Sequence, residues 1–121
     1  MSSEKSRRSF QQERNELNAL VLEEGGVGIR RFFNLDHSAY NEGALSAKTK
    51  EMLGLVASLV LRCDDCIFYH LIRAKEEGMH DEEFREVMNI GLVVGGSIVI
   101  PHLRKAFSRW EQFKDKGENN E

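Results

Sequence analysis

The chain has 121 residues, 40% of them hydrophobic and 31% charged, with a formal net charge of −3 at neutral pH. That length suffices for one domain with its own core, and the composition excludes a disordered chain. Two cysteines are too few for a disulfide-stapled secreted miniprotein, and the basic residues Lys5, Arg7, Arg8, Arg30 and Arg31 are interspersed with acids, so no nucleic-acid partner is expected.

The first 15 residues are polar and mixed in charge, without the apolar core of a signal peptide, so the expected location is cytoplasmic. The longest apolar stretches, residues 52–61 and 92–100, are about half the roughly 20 residues that span a bilayer, and no membrane association is expected. A single proline and a helical apolar period predict an all-α fold of about six helices in one domain over residues 1–121, with its core at about 25–113. Ser9 is the candidate cap of a first helix carrying Leu17, Leu20 and Val21, ended by Gly25 and Gly26. Ile29, Phe32 and Phe33 predict a short buried helix, followed by a turn at Asn41, Glu42 and Gly43. Ser46 then caps a helix with Met52, Leu55, Val56, Leu59 and Val60, apolar nearly all round and therefore expected at the centre. The next packs through Ile67, Leu71 and Ala74 and closes at Gly78. Asp81, Glu82 and Glu83 open another at the end where the helix dipole favours acids, with Phe84, Val87, Met88 and Gly91 facing inward. Gly95 and Gly96 break it. Pro101 suits the first turn of the last helix, whose stripe is Leu103, Ala106, Phe107 and Trp110. This stripe, with Phe113, reads as core or subunit interface.

The chemistry concentrates at Cys63-Asp64-Asp65-Cys66 and His70. At about 100° per residue, Cys66 and His70 fall within roughly 60° of Cys63 around a helix axis, so the three share one stripe. Cys63 lies near a helix start, where unpaired backbone N–H groups stabilise a thiolate. His70, one turn beyond Cys66, is placed to accept a proton. Two thiols and a base meet the needs of a redox site in which one sulfur attacks and the other resolves the product as a disulfide. Asp64 and Asp65 oppose this, because carboxylates disfavour a nearby thiolate.

Two other readings stand beside it. One is a pair of buried, inert cysteines. The other is a structural zinc site, which needs four ligands where the chain offers no second C-x-x-C, so that Glu51 or His102 would have to complete it. No metal and no cofactor are expected. On spacing alone Glu51 reads as an exposed glutamate at a helix start, beside Lys48 and Lys50. His37 and His80 read as exposed in turns, His102 as a capping or exposed residue, and Phe68 and Tyr69 as packing.

The segments Leu45-Ser46-Ala47-Lys48-Thr49-Lys50-Glu51 and Cys63-Asp64-Asp65-Cys66-Ile67-Phe68-Tyr69-His70 resemble the carboxymuconolactone decarboxylase family, in its AhpD-like alkylhydroperoxidase branch. Gly78-Met79-His80-Asp81-Glu82-Glu83 and residues 94–102 share the likeness, which spans roughly residues 25–113. The resemblance implies an AhpD-like all-helical fold and a homo-oligomer, often a hexamer built as a trimer of dimers. It implies a thiol peroxidase with peroxiredoxin activity in antioxidant defence, acting on a hydroperoxide. An external dithiol, a lipoyl or thioredoxin-like protein, would reduce it again. By similarity Cys66 is the peroxide-attacking thiol, Cys63 the resolving thiol, and His70 with Glu51 the proton relay. The chain departs from AhpD in carrying Asp65 where a histidine precedes the second cysteine, and in having one copy of the helical unit where AhpD has two. Two alternatives remain open from the sequence: a lyase of the lactone decarboxylase type, and a non-enzymatic oligomeric module.

Overall fold

The computed structural model describes residues 3–118, with side chains described from 9 to 114. The described residues form six α-helices, α1 (Ser3–Glu24), α2 (Gly26–Ala39), α3 (Ala47–Val60), α4 (Asp64–Glu76), α5 (Asp81–Gly95) and α6 (Ile100–Glu118), with a short 3-10 turn at Ser97–Val99. No strand occurs among them, and no described helix is long and apolar enough to cross a membrane. The chain divides into two compact units, Met1–Asn41 and Glu42–Glu121.

The first unit is the pair α1 and α2. Helix α1 starts at Ser3, so Ser9 is an interior residue and not a cap. The good helix formers Glu4, Lys5, Arg7 and Arg8 carry the helix back past it. Helix α2 buries no residue: Phe32 is 66% exposed, Ile29 is exposed and Phe33 is half-buried. The predicted buried helix is therefore present as a helix with its apolar side open, because two helices alone cannot enclose a core. His37 belongs to α2 and not to a turn.

The second unit is built around α3, which packs on α4 and α5, while α4 and α5 both meet α6. Ser46 caps α3 as its sequence position predicts, the hydroxyl oxygen accepting the Thr49 N–H at 3.0 Å. The buried side of α3 is Glu51, Leu55, Ser58 and Leu59, while Leu53 is 55% exposed, so its apolar surface is only partly enclosed. Gly91 of α5 lies against Leu59, and a Cβ there would stand 2.6 Å from Leu59 Cδ2. A bare glycine thus sets how closely α3 and α5 approach. At the other end of the core, Phe84 stacks on Trp110 with centroids 4.6 Å apart, and Phe68 stacks on Phe113 at 6.0 Å. Ala106, Trp110 and Phe113 are buried, which places that part of the last helix's stripe in the core, while Leu103 is half-buried and Phe107 is 37% exposed. Each large side chain fully buried there contributes about 1.5–3 kcal/mol.

Candidate thiol active site

Helix α3 ends in a way that delivers Cys63. Arg62 takes φ of 60°, in the left-handed region where glycine is usual. This lets Arg62 N–H reach Leu59 O at 3.0 Å and Cys63 N–H reach Ser58 O at 3.1 Å. The two bonds satisfy carbonyls that the helix end leaves unpaired. Cys63 then caps α4, and its Sγ accepts the Cys66 N–H at 3.2 Å. A backbone donor aimed at a sulfur stabilises negative charge there. Helix α4 closes by the same device with the expected residue: Gly78 at φ 103°, Gly78 N–H on Lys75 O, Met79 N–H on Ala74 O, and Met79 buried.

Cys63 and Cys66 are joined as a disulfide, their Cα atoms 5.3 Å apart. Cys63 is half-buried and Cys66 exposed, so Cys66 is the residue a small molecule meets first. One turn along α4, His70 is nearly enclosed, its side chain 12% exposed. Its Nδ1 lies 2.8 Å from Glu51 Oε1, the carboxylate accepting from the ring N–H. With Nδ1 engaged by the carboxylate, Nε2 is the nitrogen through which the ring can exchange a proton.

Glu51 is buried, its side chain 3% exposed, which corrects the reading from spacing that set it in solvent. Burying a carboxylate is costly without partners, and two are supplied by α4. His70 holds Oε1, and the Arg73 guanidinium faces Oε2 with Nε at 3.6 Å. Arg73 is itself held by Glu76 at 2.6 Å and Glu77 at 3.2 Å. Tyr69 packs its ring edge to His70, centroids 5.2 Å apart.

On the other side of the disulfide, His102 is half-buried against α4 and is not a solvent-facing cap residue. Its Nδ1 donates to Asp64 Oδ1 at 2.7 Å, and Lys105 Nζ donates to Asp64 Oδ2 at 2.9 Å. The His102 hydrogen bond, joined by Lys105, holds the Asp64 carboxyl below its ordinary range against the opposing effect of burial. Asp65 is exposed, and so is His80, the residue preceding α5. Sequence reasoning missed Lys105 and Arg73 and read His102 only as a possible zinc ligand or a capping or exposed residue, because their contacts join different elements. Among the described residues no group of three or more His, Cys, Asp or Glu is arranged to hold a metal ion.

The arrangement offers a dithiol–disulfide pair, an accessible sulfur and a histidine backed by a buried carboxylate. Similar proteins carry the same architecture. Two crystal structures of one Thermotoga maritima protein are 54% identical to this chain, with TM-scores of 0.89 and 0.88. They cover 93% of this chain and 98% and 95% of the Thermotoga chain. One of them is described as a carboxymuconolactone decarboxylase family protein in connection with an antioxidative response. A Legionella pneumophila protein of the same family, 22% identical over 89% of this chain and 96% of its own, shares the fold with a TM-score of 0.79. An uncharacterized Cupriavidus necator protein is 27% identical over 85 residues, 70% of this chain and 75% of that one. The family profile itself matches residues 29–109, a span that takes in Glu51, both cysteines, His70 and His102. The chain belongs to the carboxymuconolactone decarboxylase family.

Proposed function

We propose that this protein is a thiol-dependent peroxidase and disulfide oxidoreductase of the AhpD-like alkylhydroperoxidase branch. The observation that carries the reading is the buried Glu51–His70 pair one helical turn from the Cys63–Cys66 disulfide. A buried carboxylate that orients a histidine beside an accessible dithiol has an evident use in proton transfer to and from sulfur. The antioxidative connection of the Thermotoga relative points the same way.

In the reduced protein His70, oriented by Glu51, takes the Cys66 proton. The Cys66 thiolate attacks the terminal oxygen of a hydroperoxide, the O–O bond breaks, and the alkoxide leaves as alcohol after taking up the proton. Cys66 is then a sulfenic acid. Cys63 attacks that sulfur, water leaves, and the disulfide closes. The Cys66 N–H on Cys63 Sγ supports this role, since it stabilises Cys63 as the resolving thiolate. An external dithiol, on a lipoyl or thioredoxin-like protein, reduces the disulfide and leaves oxidised. The protein works in this reading as a cytoplasmic homo-oligomer, a hexamer arranged as a trimer of dimers.

One equivalent of hydroperoxide added to the reduced protein should consume both thiols and form an intramolecular disulfide. Cys63→Ser should accumulate a sulfenic acid that a dimedone probe traps, and Cys66→Ser should not. An unchanged thiol titre with no disulfide by mass spectrometry would sink the proposal. Lactone decarboxylation that survives both cysteine substitutions would favour a lyase.

A further inference from the structure

A thiol site with two aspartates between its cysteines has an electrostatic difficulty, because a carboxylate beside a thiolate destabilises it. The two aspartates meet different surroundings. Asp65 is exposed, where water screens it. Asp64, bonded in sequence to Cys63, is turned toward α6. There His102 and Lys105, three residues apart on one helix face, take one carboxylate oxygen each, at 2.7 and 2.9 Å. This contact bridges 38 residues of sequence and ties the first turn of the thiol helix to α6.

We infer that His102 and Lys105 are positioning residues of the thiol site: by binding Asp64 they offset its charge and favour the reduced, thiolate-bearing form of the Cys63–Cys66 pair over the disulfide. The inference rests on the redox function proposed above and concerns how that redox equilibrium is set. Reduction by a dithiol breaks the S–S bond, transfers two electrons and two protons to the cysteines, and leaves the dithiol as its own disulfide. One cysteine then releases a proton and becomes the thiolate. Asp64 opposes this last negative charge, and its two donors relieve the opposition. A carboxylate on the residue next to the thiol, screened by its partners and by water, is worth up to about a tenfold change in an equilibrium constant.

The test equilibrates the full-length chain with mixtures of reduced and oxidised dithiothreitol at mildly alkaline pH, traps thiols with iodoacetamide and weighs the products. The doubly substituted H102Q/K105Q protein should shift toward disulfide by roughly three- to tenfold, tenfold being about 30 mV for a two-electron couple. Asp64→Asn should shift the other way. Adding H102Q/K105Q to Asp64→Asn should shift the equilibrium less than it does with Asp64 in place, since His102 and Lys105 lose the carboxylate that holds them beside the thiol helix. Lys105→Gln alone, at a side chain 65% exposed, leaves packing intact and should move the equilibrium toward disulfide on its own. Equal constants in wild type, Lys105→Gln and the double variant would overturn the inference. So would a shift of the same sign for Asp64→Asn, or an effect of H102Q/K105Q that is as large without the Asp64 charge as with it. A wild-type chain that forms no disulfide at all would instead remove the redox function, a different result read from a different sample.

Discussion

Glu51 carries most of what is unusual about the site at the scale of single residues. A carboxylate with 3% of its side chain exposed sits in α3, 19 residues before the histidine it orients. Nothing in the local spacing around Lys48 and Lys50 marks it as buried, since a helix-start glutamate between lysines is a common surface pattern. The thiol pair and His70 were legible because they lie on one helix at fixed offsets. Glu51 was legible only through the family resemblance, and Arg73 and the contact of His102 with Asp64 not at all, because long-range pairing leaves no periodic trace. Replacing Glu51 with Gln keeps shape and an oxygen for the His70 N–H, yet removes the carboxylate from the proposed relay. The expected result is a fall of about 10²-fold in the rate of thiol loss to hydroperoxide, the scale of a general acid–base contribution. Oxidation by a disulfide reagent with an acidic leaving thiol, which needs the thiolate but no proton delivered to the leaving group, should be less affected. Stopped-flow measurement of both reactions checks this, and a wild-type peroxide rate in Glu51→Gln would remove Glu51 from the relay.

The same contrast holds for elements. Caps with ordinary residue types, Ser46 for α3 and Gly78 beyond α4, were read directly from sequence. The end of α3 was not, because its left-handed position is filled by Arg62 where glycine is the usual signal. Helix α5 starts with Asp81, and this residue ties it to α6: Trp110 Nε1 donates to Asp81 Oδ1 at 2.8 Å across 29 residues. The Trp110 indole, followed by Arg85 and Lys114, holds the Asp81 carboxyl below its ordinary value. A depressed carboxylate adds stability that is present above its unfolded value, about 3.9, and is lost as pH falls through the folded one. The relevant window is therefore below about pH 4. Asp81→Asn should lower stability at neutral pH by about 1 kcal/mol, the range of a charged hydrogen bond discounted for solvent access. The gap from wild type should close as pH falls through that window. Urea unfolding followed at both pH values measures it, and a gap of constant size would show that Asp81 acts through shape and not charge.

At the scale of the whole molecule, many large apolar side chains stand exposed. In the second unit Leu53, Leu61, Ile90, Val93, Val94 and Ile98 are all more than half exposed. Some of them border an open groove of about 380 Å³ between α3 and α5, floored by Met52, Val56 and Val87 with Glu83 and Glu86 at its edge. In the first unit Leu17, Leu20, Val27, Phe32 and Leu35 are likewise more than half exposed. The periodicity that reads as core in the sequence gives the same signal on a face left open, and the helix expected to be buried at Ile29 to Phe33 has no buried residue. Apolar side chains exposed in such number on one helix pair and on one groove are a common mark of surfaces that associate. Self-association through these faces is the expected outcome, consistent with the proposed homo-oligomer. Sedimentation equilibrium should give a mass that is a multiple of the 13.9 kDa chain, six chains if the hexamer is correct. Ile90→Glu with Val94→Glu places two charges on exposed positions of one helix face, where they cost little to the fold but oppose burial against a second copy. That variant should keep its helicity by circular dichroism and sediment at a lower mass. A wild type that sediments as a single chain would refute the assembly, and an unchanged mass in the variant would move the interface away from α5.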